Sequence, residues 1–278
     1  MTPFVPEDAL IPYGASSFSA RRVLVLAPHP DDEVFGCGAA LADLRTRGAE
    51  LLVLVLTDGA GAEAEPDTRR RIAEVRLVES RAALALLGGG ELRSAGLRDR
   101  GLWEAGPALF VAVERALLDF APDLVFCPSP VEIHPDHRAV AAALVDLGES
   151  AAPGSALSRA LSGATIAFFE LSQPIRPNFL FDCGPHADTK KRAMEMFASQ
   201  NAERDYAGYV SGLNAFRRMT LPKETTAAEG YFVLPGLVLS NGVPDLSRAM
   251  SPYPGEKPSS SSPSVAERLR GLFARSPG

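Results

Sequence analysis

Two short, continuously apolar runs stand near the start of the chain, Arg22–Ala27 (RVLVLA) and Glu50–Thr57 (ELLVLVLT). Runs of this length without polar alternation predict strands buried on both faces, as in a parallel sheet covered by helices. Between them Val34–Arg47 is rich in alanine and predicts a helix that Gly48 ends. A longer helix is expected over Asp67–Leu87, with Asp67 or Thr68 as its cap and apolar positions at Ile72, Val75, Leu84 and Leu87. Gly88, Gly89 and Gly90 stop it.

The same alternation continues. Pro107–Phe120 predicts a helix with proline at its start, Leu124–Cys127 a strand, and His137–Leu147 a helix. Gly148–Gly163 reads as a loop or weak helix, Thr165–Glu170 as a strand, Lys190–Asn201 as a helix and Tyr231–Leu234 as a late strand. Strand and helix in turn imply parallel strands joined by right-handed crossovers. The expected fold class is therefore α/β, a Rossmann-like open, mostly parallel sheet with helices on both faces. Near Ser251 the composition shifts to Ser and Pro, which bury too little apolar area to order themselves. Residues 1–250 are thus expected to form the working domain, and 251–278 a linker ending in a short amphipathic helix, Val265–Arg275.

Composition narrows the function classes. A net charge of −6 over 278 residues argues against general nucleic-acid binding, which selects clustered Lys and Arg. No apolar run approaches the roughly 20 residues a bilayer span needs, and Met1–Gly14 has neither a basic nor a continuously apolar leader region, so the cytoplasm is the expected compartment. Cys37, Cys127 and Cys183 have no paired spacing and predict reduced core thiols, neither a disulfide framework nor a thiolate zinc site. Histidine is scarce, and three of the four fall inside two short acidic motifs.

The first motif, His29-Pro30-Asp31-Asp32-Glu33, follows the first buried strand, where an open α/β sheet borders its ligand crevice. Three adjacent carboxyl groups repel one another unless a cation or hydrogen bonds compensate. The second motif, His134-Pro135-Asp136-His137, lies just beyond the Leu124–Cys127 strand, at another carboxyl end of the same sheet. A mixed His and Asp set suits Zn²⁺ or another borderline first-row metal, and three protein ligands leave a position for water. A lone His-x-x-Asp would read as a surface turn; two motifs, each after a buried strand, reverse that reading. Gly36-Cys37-Gly38 does not complete a dinucleotide loop, because Leu41 takes the third glycine position and carboxylates crowd the helix start. Arg76 and Glu79 are compatible with an ion pair on one helix or with a pocket role for the arginine. His186 reads as a loop or helix-start residue.

Together the motifs resemble the PIG-L/LmbE family of zinc-dependent N-acetylglucosaminyl deacetylases. The resemblance runs from about Arg22 to Leu234 and includes Thr57-Asp58-Gly59, Arg76-x-x-Glu79, Leu87-Gly88, Asp99, Lys191–Gln200 and Ala228-Glu229-Gly230-Tyr231. It implies that His29, Asp32 and His137 ligate zinc, with Fe²⁺ or another divalent first-row metal as the alternative ion. It further implies Asp31 as general base toward the attacking water, and His134 as stabiliser of the oxyanion. His134 or Asp31 would deliver a proton to the leaving amine, and Asp136 would complete the catalytic set by orienting a histidine. Arg76 and Asp99 would contact substrate, a small N-acetylated amino-sugar conjugate. The implied enzyme is a hydrolase giving free amine and acetate. Alternatives are an amidase acting on a larger acyl group and a non-catalytic, metal-containing sugar-binding module. Many relatives carry a histidine where this chain has Phe197, ahead of Ser199-Gln200, so substrate contacts there are expected to differ.

Overall fold

The computed structural model describes residues 6–63, 65–240 and 245–251. In chain order the first half contains β1 (Arg22–Ala27), α1 (Asp32–Thr46), β2 (Glu50–Thr57), α2 (Pro66–Leu86), β3 (Glu91–Leu97), α3 (Leu102–Ala105), α4 (Pro107–Phe120) and β4 (Leu124–Pro128). The second half contains α5 (Pro135–Ser150), α6 (Ala156–Ser162), β5 (Thr165–Phe169), β6 (Phe179–Asp182), α7 (Ala187–Glu195) and α8 (Ala198–Asn201). α9 (Tyr206–Arg217), β7 (Ala228–Pro235), α10 (Leu237–Ser240) and α11 (Leu246–Met250) complete it. Among the described residues no helix is long and apolar enough to cross a membrane.

The strands form one sheet in the order β3-β2-β1-β4-β5-β7-β6. The first five are parallel, and β7 runs antiparallel to both β5 and β6. Because alternate strand residues point to opposite faces, the apolar runs feed two cores. Val23, Val25, Val53 and Val55 pack with α1, α2 and α7, while Leu24, Leu26, Leu52 and Leu54 pack with α4, α5 and α6. The sheet is thus covered on both sides, as the apolar runs predict. From β1 the chain moves through α1 to β2 on one side, and from β4 through α5 and α6 to β5 on the other. β1 and β4 are neighbours, with Val25 opposite Phe126, so the crevice of the fold opens beyond their carboxyl ends.

Several details depart from the sequence reading. The cap of α2 is Glu65, whose carboxylate accepts from Asp67 N and Thr68 N. α5 begins at Pro135, which draws the second motif into the helix start, and runs on to Ser150. The stretch 190–201 is two helices, α7 and α8, broken around Phe197. β3, β6 and α9 were not expected from the pattern. The Ser/Pro-rich stretch after Ser251 and the terminal helix expected over 265–275 lie outside the described residues.

α1 itself is interrupted. Cys37 has non-helical angles (φ −140°, ψ 20°), so the segment after it starts with unpaired backbone N–H groups. The Glu229 carboxylate accepts two of them, from Ala39 N at 2.8 Å and Ala40 N at 3.0 Å. It also accepts from Lys190 Nζ at 2.8 Å and Tyr231 Oη at 2.7 Å, and Lys190 donates to Asn214 Oδ1 at 2.9 Å. Gly36 is required here by close approach, since a Cβ would stand 2.4 Å from the Phe169 ring. Gly-Cys-Gly is thus a packed break that fixes the helix carrying Asp32. Removing one partner of a buried, fully bonded ion pair costs about 3–5 kcal/mol. We predict a loss of that size for Glu229→Ala in urea unfolding, and much less for Arg22→Ala, whose ion pair with Glu50 is exposed.

Candidate active site

β1 ends at Ala27, and the loop Pro28-His29-Pro30 turns straight into α1. Its turn is closed locally: His29 N donates to Asp32 Oδ2 at 2.8 Å. It is also latched from β2, where Thr57 N and Thr57 Oγ1 both donate to Pro28 O. Gly59 has φ +65°, and a Cβ there would stand 2.7 Å from Pro30 Cδ and 2.8 Å from Arg76 Nη1. That position therefore admits only glycine, and the Thr57-Asp58-Gly59 motif serves to hold the first motif in place.

The second motif arrives on β4 and α5. His134 caps α5, its Nδ1 accepting from Asp136 N at 3.2 Å. Asp136 and His137 fall in the first turn, both buried. Asp32 and Asp136 thus stand at two helix N-termini, where the backbone N–H groups favour negative charge.

Where the loops meet, His29 Nδ1 lies 3.2 Å from Asp32 Oδ2, His137 Nε2 lies 3.3 Å from the same oxygen, and the two ring nitrogens are 3.3 Å apart. Three donor atoms at the corners of a near-equilateral triangle match one face of a tetrahedron, because metal bonds of about 2.0–2.2 Å space ligand atoms roughly 3.3–3.6 Å apart. His134 lies in the same group, with one nitrogen within 4.8 Å of ring nitrogens of His29 and His137. Asp31, Asp32, Asp99, Asp136 and Glu132 gather around three imidazoles and one guanidinium, and this excess of carboxylate suits a cation.

Asp31 lies outside the triangle. It has φ +151°, a strained angle for a residue with a side chain, and its carboxylate accepts from Arg76 Nη2 at 2.8 Å. Burial pushes the Asp31 carboxyl up to about 6, with the Arg76 guanidinium acting against it and the neighbouring Asp32 adding to it. Arg76 is buried and donates also to Gly59 O at 2.6 Å and Pro30 O at 3.0 Å. Of the two readings open for Arg76, the ion pair with Glu79 is not formed, since Glu79 accepts from Ser199 N and Ser199 Oγ. Burial likewise drives the His134 imidazole down to about 4, and His29 and His137 push the same way. His134 is then neutral at pH 7. With Nδ1 accepting from Asp136 N, its proton sits on Nε2.

Asp99 places Oδ1 3.1 Å from His29 Nε2 and accepts from Gly61 N at 2.8 Å through Oδ2. Asp136 lies 3.4 Å from the same His29 nitrogen and accepts from Arg100 N and Leu102 N. Both carboxylates stand behind His29, on the side away from the triangle. Phe197 is fully buried and packs 5.6 Å from the Phe35 ring, a contact within the core. Cys37, buried with Sγ donating to Glu33 O, is also a core residue. His186 precedes α7, 3.5 Å from Asp43, away from this site.

Two buried carboxyl groups have no role in the sequence reading, Glu33 although it belongs to the first motif. Glu33 is fully buried and bonded to Ser80 Oγ and Asp31 N; burial raises its carboxyl to about 8 against the pull of Ser80. Glu132, also buried, lies 3.6 Å from His137 Nδ1. The available signal for Glu132 was an acidic residue between two apolar ones beside a motif histidine, whereas Glu33 stands in the first motif itself.

The chain is similar to several deacetylases. A probable N-acetyl-α-D-glucosaminyl L-malate deacetylase 2 of Bacillus anthracis is 32% identical over 143 residues, 48% of this chain and 63% of that protein. The chain thus spans less than two thirds of that relative. The diacetylchitobiose deacetylase of Thermococcus kodakarensis is 25% identical over 194 residues, 66% of this chain and 71% of that protein. Among solved structures, the N,N′-diacetylchitobiose deacetylase of Pyrococcus horikoshii superposes with a TM-score of 0.65 at 25% identity, covering 79% of this chain and 86% of that one. Residues 24–147, which carry both motifs, match the family described as PIG-L, GlcNAc-PI de-N-acetylase.

Proposed function

We propose that the chain is a metal-dependent hydrolase that removes the N-acetyl group from a small N-acetylglucosamine-type conjugate, releasing acetate and a free amine. The observation that carries this reading is the triangle of His29 Nδ1, Asp32 Oδ2 and His137 Nε2 with the unshared carboxylate of Asp31 beside it. The names of the relatives supply the substrate class: a glucosaminyl malate in one, diacetylchitobiose in another. Two imidazoles and a carboxylate favour zinc as the resident ion, with Fe²⁺ as the second choice. When bound, the ion would polarise the amide carbonyl and lower the pKa of water.

The residues divide the remaining work. The Asp31 carboxylate takes a proton from the attacking water as the new C–O bond forms, and an acid titrating near neutrality is suited to take it up and release it. Arg76 holds that carboxylate in one orientation. His134, neutral and protonated on Nε2, donates a hydrogen bond to the carbonyl oxygen as charge develops there. The proton held by Asp31 passes to the amide nitrogen as the C–N bond breaks. Asp99 and Asp136 brace His29 from behind.

Protein stripped by chelator and assayed for acetate release on a panel of N-acetylglucosamine conjugates should fall to background, and recover when zinc is restored. Zinc-loaded but silent protein that cleaves larger amides would replace deacetylation with amidase activity. Asp31→Asn should keep its zinc and lose about 10²–10⁴-fold in kcat; unchanged turnover would reject Asp31 as the base. Arg76→Met, which frees that carboxylate, should lower kcat by about 10²-fold with zinc content unaltered.

A further inference from the structure

We infer that Glu132 is a positioning residue of the metal centre: its carboxylate holds His137 with the proton on Nδ1 and Nε2 free for the ion, and anchors that imidazole to the loop after β5. The inference rests on the reading that His137 is a ligand, and concerns what makes it one.

His137 has a buried ring with two different surroundings. Nε2 faces His29 Nδ1 and Asp32 Oδ2, the corners of the triangle. Nδ1 is buried without a hydrogen-bond partner among the described residues. A neutral imidazole carries one proton, so a ring that offers the Nε2 lone pair must carry its proton on Nδ1 and find an acceptor there. Glu132 Oε2 stands 3.6 Å from that nitrogen. A shift of about half an ångström brings the pair into the ordinary hydrogen-bond range of about 2.7–3.2 Å.

The carboxylate is itself immobilised. Glu132 Oε1 accepts from Leu171 N at 2.7 Å, and Oε2 accepts from Ser172 N at 2.9 Å and Ser172 Oγ at 2.5 Å. Ser172 Oγ also accepts from Ile133 N, next to Glu132 in the chain. A few residues on, the same loop is fixed again, since Glu170 accepts from Ile175 N and from the Arg217 guanidinium, which donates in turn to Ile175 O. Glu132 therefore faces His137 with its carboxylate clamped to that loop, and the residue is 1% exposed. A carboxylate on the far nitrogen of a ligand imidazole raises its basicity toward the metal and fixes its plane.

The test is zinc affinity, measured by competition with a chromophoric chelator on the full chain. Glu132→Ala should bind zinc about 10–100-fold more weakly. Ser172→Ala, which loosens the loop and leaves the carboxylate facing His137, should bind like the parent. Equal weakening in both variants would assign the effect to the loop and overturn the proposal, as would parental affinity in Glu132→Ala. Independently of any variant, ¹⁵N spectra of the zinc-loaded parent should show His137 protonated on Nδ1, and a proton on Nε2 would overturn it. His137→Ala separates the two readings: zinc held as tightly without that imidazole would refute His137 as a ligand, whereas zinc lost in His137→Ala but retained in Glu132→Ala would refute the present inference alone.

Discussion

His29 and His137, 108 residues apart in sequence, point a ring nitrogen at one oxygen of Asp32. That convergence depends on the pairing of β1 with β4, because a slip of one residue in their register would turn the strands over and separate the loops. It depends equally on the two helix starts, each placing a carboxylate where backbone N–H groups favour it. The surrounding structure acts to keep these few atoms in register: Thr57 and Gly59 latch the first loop, Asp136 spans the β3–α3 connection, and Glu229 caps the broken helix behind Asp32.

The electrostatics follow from the same geometry. Several carboxylates removed from water are tolerable only where each has donors or a cation. Asp99, Asp136 and Glu132 find backbone donors, and Asp31 has Arg76. Asp32 Oδ2 accepts from His29 N at 2.8 Å, and the same oxygen faces two ring nitrogens, at 3.2 Å and 3.3 Å. An ion among three such donors would satisfy all of them at once.

Much of this was legible in the sequence because it is local. β1, β2 and α4 begin and end where their apolar runs do, since strands buried on both faces leave no polar residue to blur the pattern. The motifs could be read because each follows such a strand. β3 was not legible: ELRSAGL lies at the sheet edge, where half its side chains meet water and the apolar signal is diluted. β6 is four residues, too short to show a period. In the site, the gathering of both motifs follows from topology, but the partners of Arg76 do not. An arginine three residues before a glutamate suggests a helical ion pair; only the fold brings Asp31, Gly59 and Pro30 around its guanidinium. Glu132 was hidden for the same reason, as its contacts with 171 and 172 cross from β4 to β5.

The adjacent acids Asp31 and Asp32 pose the final question of how neighbours in one turn acquire different tasks. Two carboxylates with the same surroundings would compete for the same cation and repel each other. Here the backbone separates them. The positive φ of Asp31 sends its side chain toward Arg76, while Asp32, first residue of α1, folds back onto His29 N and the ring nitrogens. Strain at one residue thus gives one acid imidazole neighbours and the other a single guanidinium, and a glycine or a relaxed conformation at position 31 would lose the distinction. Arg76 is what makes the strained arrangement persist, because it grips Asp31 while two further bonds, to Pro30 O and Gly59 O, fix the guanidinium to the loops on either side. The division between a carboxylate that faces the metal position and one free to carry a proton is therefore a property of backbone geometry at residue 31, enforced from α2.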